Sequence, residues 1–279
     1  TYNDMVIAAA ENALFLYNPI QDNTETITTE EGLSGDNFSA LIVYENTIIA
    51  GFENGIVAKI DIDTKKLDLD NSIERNATIA ANEKEINQFH VYQNLVYLAT
   101  SFGVVELNPA TLEFGDTYYF GTVGARIQVN QVAVFENSLY AATPQGIYKT
   151  LLSNPNRLEF SSWEQHASGN WIELWIQDSM LYGAKNQANA VSFHQLNNGI
   201  VQKAQFPGVI RDIAPHENGV IVTVSNRVYD VNKAFERTQT IAEIDGVKPN
   251  TFTFGVYANN ELWIGTSSEA VSYTHLTLP

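Results

Sequence analysis

The sequence has no cysteine, few basic residues and no long apolar run. Without cysteine, disulfide frameworks, thiolate nucleophiles and cysteine metal sites are excluded. Fifteen Lys and Arg stand against 32 Asp and Glu, a net charge of −17, and no basic cluster interrupts the acidity. A phosphate backbone would be repelled, which argues against nucleic acid as a partner. No stretch reaches the roughly 18 apolar residues that a membrane-spanning helix needs. Catalytic signatures are also scarce. His90, His166, His194 and His216 are far apart, with no HExxH or His-x-His spacing, and there is no GxSxG elbow. Four structural histidines, no catalytic residue, no metal and no cofactor are the expectation.

What the sequence does contain is a repeat. From Glu31 to Asp61, EGLSGDNFSALIVYENTIIAGFENGIVAKID reads as three short apolar strands separated by Glu45-Asn46 and by Glu53-Asn54-Gly55. Asn and Gly are expected to supply the positive φ that such reversals require. The first hairpin recurs as VYQNLVYLAT, VFENSLYAAT, WIQDSMLYGA, PHENGVIVTV and VYANNELWIGT, and the chain opens inside one, TYNDMVIAAA. Anchored on Asn3, Asn46, Asn94, Asn137, Asp178, Asn218 and Asn259, the steps are 43, 48, 43, 41, 40 and 41 residues. That spacing fits a four-stranded propeller blade. The fold expected is therefore all-β, a seven-bladed β-propeller with blades near 1–30, 31–85, 86–128, 129–170, 171–207, 208–250 and 251–270. It is expected to be incomplete at both ends, without the first strand of the first blade or the last two of the seventh. Residues 271–279, VSYTHLTLP, resemble the translation of a sequencing adapter and are set aside, His275 included.

Within the repeat, several places invite a functional reading. Asp61, Asp63, Asp68 and Asp70 are acidic enough for calcium, but the Gly and terminal Glu of a calcium loop are missing, so a surface turn is expected. Residues 71–85, NSIERNATIAANEKE, are the longest polar insertion, with a helical turn expected in Thr78 to Lys84. Either a plain surface loop or a functional one is consistent with them. Trp171 and Trp175 share one face of a strand, placed to stack on a sugar or to fill the space between blades, and packing is the expected outcome. Alternation of Val91, Val96 and Leu98 with Tyr92 and Tyr97 suits a sheet packed on both faces. Glu45, Glu136 and Glu217 repeat at one turn position and so read as turn residues. A catalytic group would sit where the repeat breaks, at 71–85 or in the glycine-free turn expected at Lys185 to Ala190.

GLSGDNFSAL, ENTIIAGFENGIVAKID and ELWIGT resemble the periplasmic propeller repeat of two-component regulators. The ordered succession from ENALFLYN through INQFHVYQNLVYLATSFGVVELN to DTYYFGTVGARIQVNQVAVFENSLYAATPQGIYK more specifically resembles the amino-terminal propeller of PorZ-type proteins of the Bacteroidota type IX secretion system. The resemblance spans about Met5 to Ala270. It implies a non-enzymatic scaffold or binding module at the outer-membrane cell surface, working with other attachment-complex proteins that join secreted cargo to anionic lipopolysaccharide. Two alternatives stay open: a polysaccharide sensor of a hybrid two-component regulator in the periplasm, and a propeller polysaccharide lyase or hydrolase. The ligand-binding residues are not identified by the sequence.

Overall fold

The computed structural model describes residues 5–10, 13–18, 20–35, 37–121, 125–244, 251–258, 261–267 and 272–274. Its chain divides into two compact units, Thr1–Ile172 and Glu173–Pro279. The turn residues Asn3, Glu11, Asn12 and Asn259 lie outside the described residues, as does most of 271–279.

In the first unit, successive strands pair with their sequence neighbours and form antiparallel meanders. The first sheet has three strands, Val6–Ala10, Ala13–Asn18 and Asn23–Ile27. The second has four, Phe38–Tyr44, Thr47–Phe52, Val57–Asp61 and Leu67–Asp70. Ile86–Tyr92, Leu95–Thr100, Gly103–Leu107 and Phe114–Tyr118 make the third sheet. The fourth consists of Gln131–Phe135, Ser138–Ala142, Gly146–Leu151 and Glu164–Ser168. Strand alternation decides which neighbour each side chain meets. Ile48, Ala50 and Phe52 join Leu14 and Leu16 in one core, whereas Ile49 joins Ile86 and Phe89 in another. Val96 and Leu98 belong to that second core with Val91, while Tyr97, Ala99 and Tyr92 pack with Val132, Leu139 and Trp163 in a third. Each middle sheet is thus buried on both faces, which is why its strands read as unbroken apolar runs.

The second unit repeats the design. Trp171–Gln177 begins at the unit boundary and leads a sheet continued by Met180–Gln187, Ala190–Gln195 and Val201–Pro207. Ile210–His216, Gly219–Val224, Arg227–Asn232 and Arg237–Ile241 follow as the sixth sheet. The seventh has Phe252–Ala258, Glu261–Thr266 and Ser272–Thr274. That third strand corrects the expectation that the seventh unit has only two, and it lies in the stretch set aside as adapter-derived. Pairing of Leu262 with Thr274 and Ile264 with Ser272 needs only three extended residues.

Two local expectations are also corrected. Gly55 (88°) and Asn137 (62°) supply positive φ as expected, but so do Glu45 (51°), Gln93 (54°), Glu136 (46°), Asp178 (50°) and Ser179 (59°). Two-residue hairpins impose this geometry to match strand twist, and residue type follows only loosely. Lys185 to Ala190 is not a loop: Lys185 pairs with Ser192, Asn186 with Val191 and Gln187 with Ala190, leaving a two-residue turn. Lys185 and Asn186 are only half-buried and Gln187 is exposed, so this part of the strand carries polar side chains and lacks the apolar run that marks a buried one.

One device could not be read from the repeat. At three seams, side chains in or just before the first strand of one sheet reach backbone groups in or just before the first strand of the next. Asn87 Nδ2 donates to the Val129 carbonyl at 2.7 Å, and Asn130 Nδ2 at the same repeat position donates to the Trp171 carbonyl at 2.6 Å. Gln88 Oε1 accepts from Val132 N–H at 3.1 Å, and Asp212, its equivalent in the sixth sheet, accepts from Gly255 N–H at 3.4 Å. Ser39 occupies the position of Asn87 but is too short, and its hydroxyl is buried without a partner. Ser39→Asn is expected to reach the Ile86 carbonyl and raise the unfolding free energy by about 0.5–1.5 kcal/mol. Urea denaturation with an unchanged m-value checks it; destabilisation would show that the site cannot admit the amide.

Candidate functional site

The 71–85 insertion departs from the repeat in the first unit, and it is built as a fixed element. Asp70 Oδ1 accepts from Ser72 N–H at 2.7 Å and starts the helical turn Ser72–Arg75. Asn76 Oδ1 accepts from both the backbone N–H and the hydroxyl of Thr78, at 2.9 and 2.8 Å. A 3-10 turn follows at Ala81–Glu83, inside the span expected to be helical. Ile73 and Ile79 are 6% and 4% exposed and drop into the core with Ile49 and Phe89. Lys84 Nζ donates to the Glu74 carbonyl, and Arg126 Nη1 to the Thr78 carbonyl. Two apolar anchors and two cationic clamps hold a 15-residue polar segment in place.

Between this insertion and the Glu53-Asn54-Gly55 turn lies a cleft of about 500 Å³ lined by Glu53, Asn54, Glu74, Ala81, Asn82, Lys84 and Glu85. A smaller one of about 310 Å³, lined by Ala9, Ala10, Asn37, Phe38 and Glu53, adjoins it at Glu53. Asn37 Nδ2 donates to Glu53 Oε2 at 3.2 Å. Burial, and then the charge of Glu53, push the Glu85 carboxyl above its ordinary value. Three carboxylates, two carboxamides and one ammonium make a rigid, net-negative, hydrogen-bonding concavity. Such a surface can hold a cationic or polyhydroxyl group; it brings together no nucleophile and base.

The other flagged residues have structural partners. Asp61 is bound up in its own turn, accepting from Asp63 N–H, Thr64 N–H and the Thr64 hydroxyl at 3.1, 2.7 and 2.8 Å. The bonds from Thr64 hold its carboxyl below the usual range. Asp63 accepts from Asn46, Asp68 pairs with Lys66, and Asp70 caps the insertion. Among the described residues no three His, Asp or Glu side chains are placed to share a metal ion. Trp171 and Trp175 are 1% and 5% exposed. Trp175 stacks on Tyr182 at 5.6 Å and meets Phe193 edge-on at 5.2 Å, so it packs within its own sheet and offers no platform for a sugar.

Among the described residues the histidines are not brought together. His166 meets Tyr140 edge-on at 5.6 Å, and His194 Nε2 lies 3.0 Å from the Ser192 hydroxyl, which is fully buried. His216 sits 3.6 Å from Asp230 Oδ1, whose other oxygen accepts from the Tyr257 hydroxyl at 2.9 Å. Burial and that bond raise Tyr257 to about 12. His90 accepts from a backbone N–H of the next sheet. The cleft was legible only as a break in period; its carboxylates come from two stretches that the sequence reading did not connect.

A family model described as the amino-terminal β-propeller domain of PorZ from the type IX secretion system matches residues 6–164. No curated protein matches the sequence. Among solved structures, PorZ of Porphyromonas gingivalis, described as an essential bacterial surface component of the type IX secretion system, superposes with a TM-score of 0.77 at 16% identity, covering 97% of this chain and 35% of that one. The β-propeller of Cps50 (Swd1) from Myceliophteria thermophila gives 0.71 at 11% identity, covering 97% and 94%. The computationally designed Ika8 gives 0.62 at 14%, covering 97% and 80%. The chain spans about a third of the PorZ chain. These likenesses establish an all-β β-propeller, and the chain belongs to the PorZ amino-terminal β-propeller family.

Proposed function

We propose that this member of the PorZ propeller family is a non-enzymatic binding module of the type IX secretion attachment complex. On this reading it is a seven-bladed propeller at the outer-membrane cell surface, where it engages other attachment-complex proteins during attachment of cargo to anionic lipopolysaccharide. The family match over residues 6–164 carries the reading. The 71–85 insertion, which lies inside that span, supports it: a buried-anchored loop on a rigid scaffold is the kind of element that presents a binding surface. Its cleft is net negative, so its complement is a basic protein surface, and an anionic glycolipid would be repelled there.

The test is binding of the purified domain to each attachment-complex protein and to lipopolysaccharide, with Glu53→Lys/Glu85→Lys as the probe. A protein partner is expected to bind with a salt-sensitive affinity that the double variant weakens at least ~10-fold, about 1.4 kcal/mol. Unchanged affinity would remove the cleft from the interface. Binding to lipopolysaccharide alone would overturn the protein-partner reading.

A further inference from the structure

We propose that the seam between the third and fourth sheets is an acid-sensitive latch whose titrating member is His90. Three side chains of Ile86–Tyr92 close this seam onto the backbone of residues 129–134. Asn87 donates to the Val129 carbonyl at 2.7 Å, Gln88 accepts from Val132 N–H at 3.1 Å, and His90 Nε2 accepts from Val134 N–H at 3.0 Å. Two of the three are carboxamides, which keep their role at any pH. The third works only as the neutral imidazole, because an N–H donor on Nε2 would face the donor of Val134.

Among the described residues, none packed around the ring carries a negative charge that would compensate an imidazolium. Tyr97 lies directly across from it in register, Tyr92 is on its own strand, and Tyr44 is on Phe38–Tyr44. Gln131–Phe135 and Thr47–Phe52 carry no titratable side chain, and Glu106 and Arg157 act on the far side of Tyr97. Burial alone pushes His90 down to about 4. An unfolded chain takes up this proton near pH 6.5. The contribution of His90 to the seam is therefore complete above pH 6.5 and is lost progressively as pH falls through 4.

Neighbouring amides supply the test. Amide hydrogen exchange is followed by NMR on the whole chain between pH 7 and 4, with each rate corrected for its intrinsic pH dependence. Protection of the Val134 amide is expected to fall at least ~10-fold relative to that of Val132, whose acceptor is Gln88, and His90→Gln is expected to abolish the difference. Parallel loss at both amides, or the same divergence in His90→Gln, would overturn the proposal. If that variant does not fold, the His90 ring proton shift in the unmodified chain decides: a midpoint well below those of the other histidines supports the latch, and one near 6.5 refutes it.

Discussion

Arg157→Ala is expected to lower the unfolding free energy by about 3 kcal/mol, the lower end of the cost of orphaning a buried charge. Glu106, 9% exposed, is the carboxylate left behind. It accepts from the Tyr118 hydroxyl at 2.6 Å, and Arg157 Nη2 stands 3.8 Å from the same oxygen. The guanidinium also donates to Tyr118 through Nε at 3.4 Å and to the Leu152 carbonyl, and lies 5.9 Å from the centre of the Tyr118 ring. One cation therefore ties the fourth strand of the third sheet to the long third connection of the fourth sheet. Its side chain is 25% exposed, so water relieves part of the loss, which is why the lower figure applies.

Burial, followed by the bond to Glu106, pushes the Tyr118 phenol well above its ordinary range. A phenol is neutral at working pH whether folded or not, so this shift adds no pH dependence below pH 9 or so. Trp163 Nε1 donates to the Arg157 carbonyl at 2.8 Å, and its ring lies 5.8 Å from that of Tyr118, so tryptophan fluorescence in a urea titration reports the loss where it occurs. Glu106→Gln/Arg157→Met separates pairing from packing, since it removes both charges at similar volume. Recovery of most of the loss in the double variant is expected. A double variant as unstable as Arg157→Ala would assign the effect to the guanidinium's own bonds to the Tyr118 hydroxyl and the Leu152 carbonyl, which methionine cannot make.

How much of this was legible beforehand depends on the range of each interaction. Hairpins are local, so Glu45-Asn46 and its repeats marked strand ends correctly, and the alternation of Val96 and Leu98 with Tyr97 announced two buried faces. Glu106 reads as one more acid in an acidic chain, because its partners are 12 and 51 residues away, in a strand and a loop that only the fold brings near it. Gln88, Asn130 and Asp212 were equally silent: their acceptors and donors lie on the next repeat, and no pattern within a repeat reveals them. The 71–85 insertion was visible as the one lengthened step in the period, 48 residues from Asn46 to Asn94. Its anchoring was not, since Ile73 and Ile79 look like isolated apolar residues in a polar stretch until the core beneath them is known.

Gly103→Ala is expected to be nearly as damaging, about 3 kcal/mol, the upper part of the overpacking range. Gly103 opens the third strand of its sheet at φ 150°, and a Cβ built there would stand 2.3 Å from the Tyr118 carbonyl oxygen. That oxygen belongs to the paired fourth strand, with Val104 in register with Tyr118, so relief requires the backbone to move. The same arrangement recurs one sheet later, where a Cβ on Gly146 would meet the Ala167 carbonyl at 2.4 Å. In both turns a buried threonine three residues before the glycine holds it in place: Thr100 donates to the Gly103 carbonyl at 2.9 Å and Thr143 to the Gly146 carbonyl at 2.8 Å. Displacing the fourth strand at Tyr118 also disturbs the hydroxyl that Glu106 and Arg157 share. The losses in Gly103→Ala/Arg157→Ala should therefore add to less than their sum, because one residue, Tyr118, is released by either change. Strict additivity in urea titrations would mean that the alanine is accommodated at Gly103 without moving Tyr118, and that the clash is relieved within the Ser101-Phe102 turn.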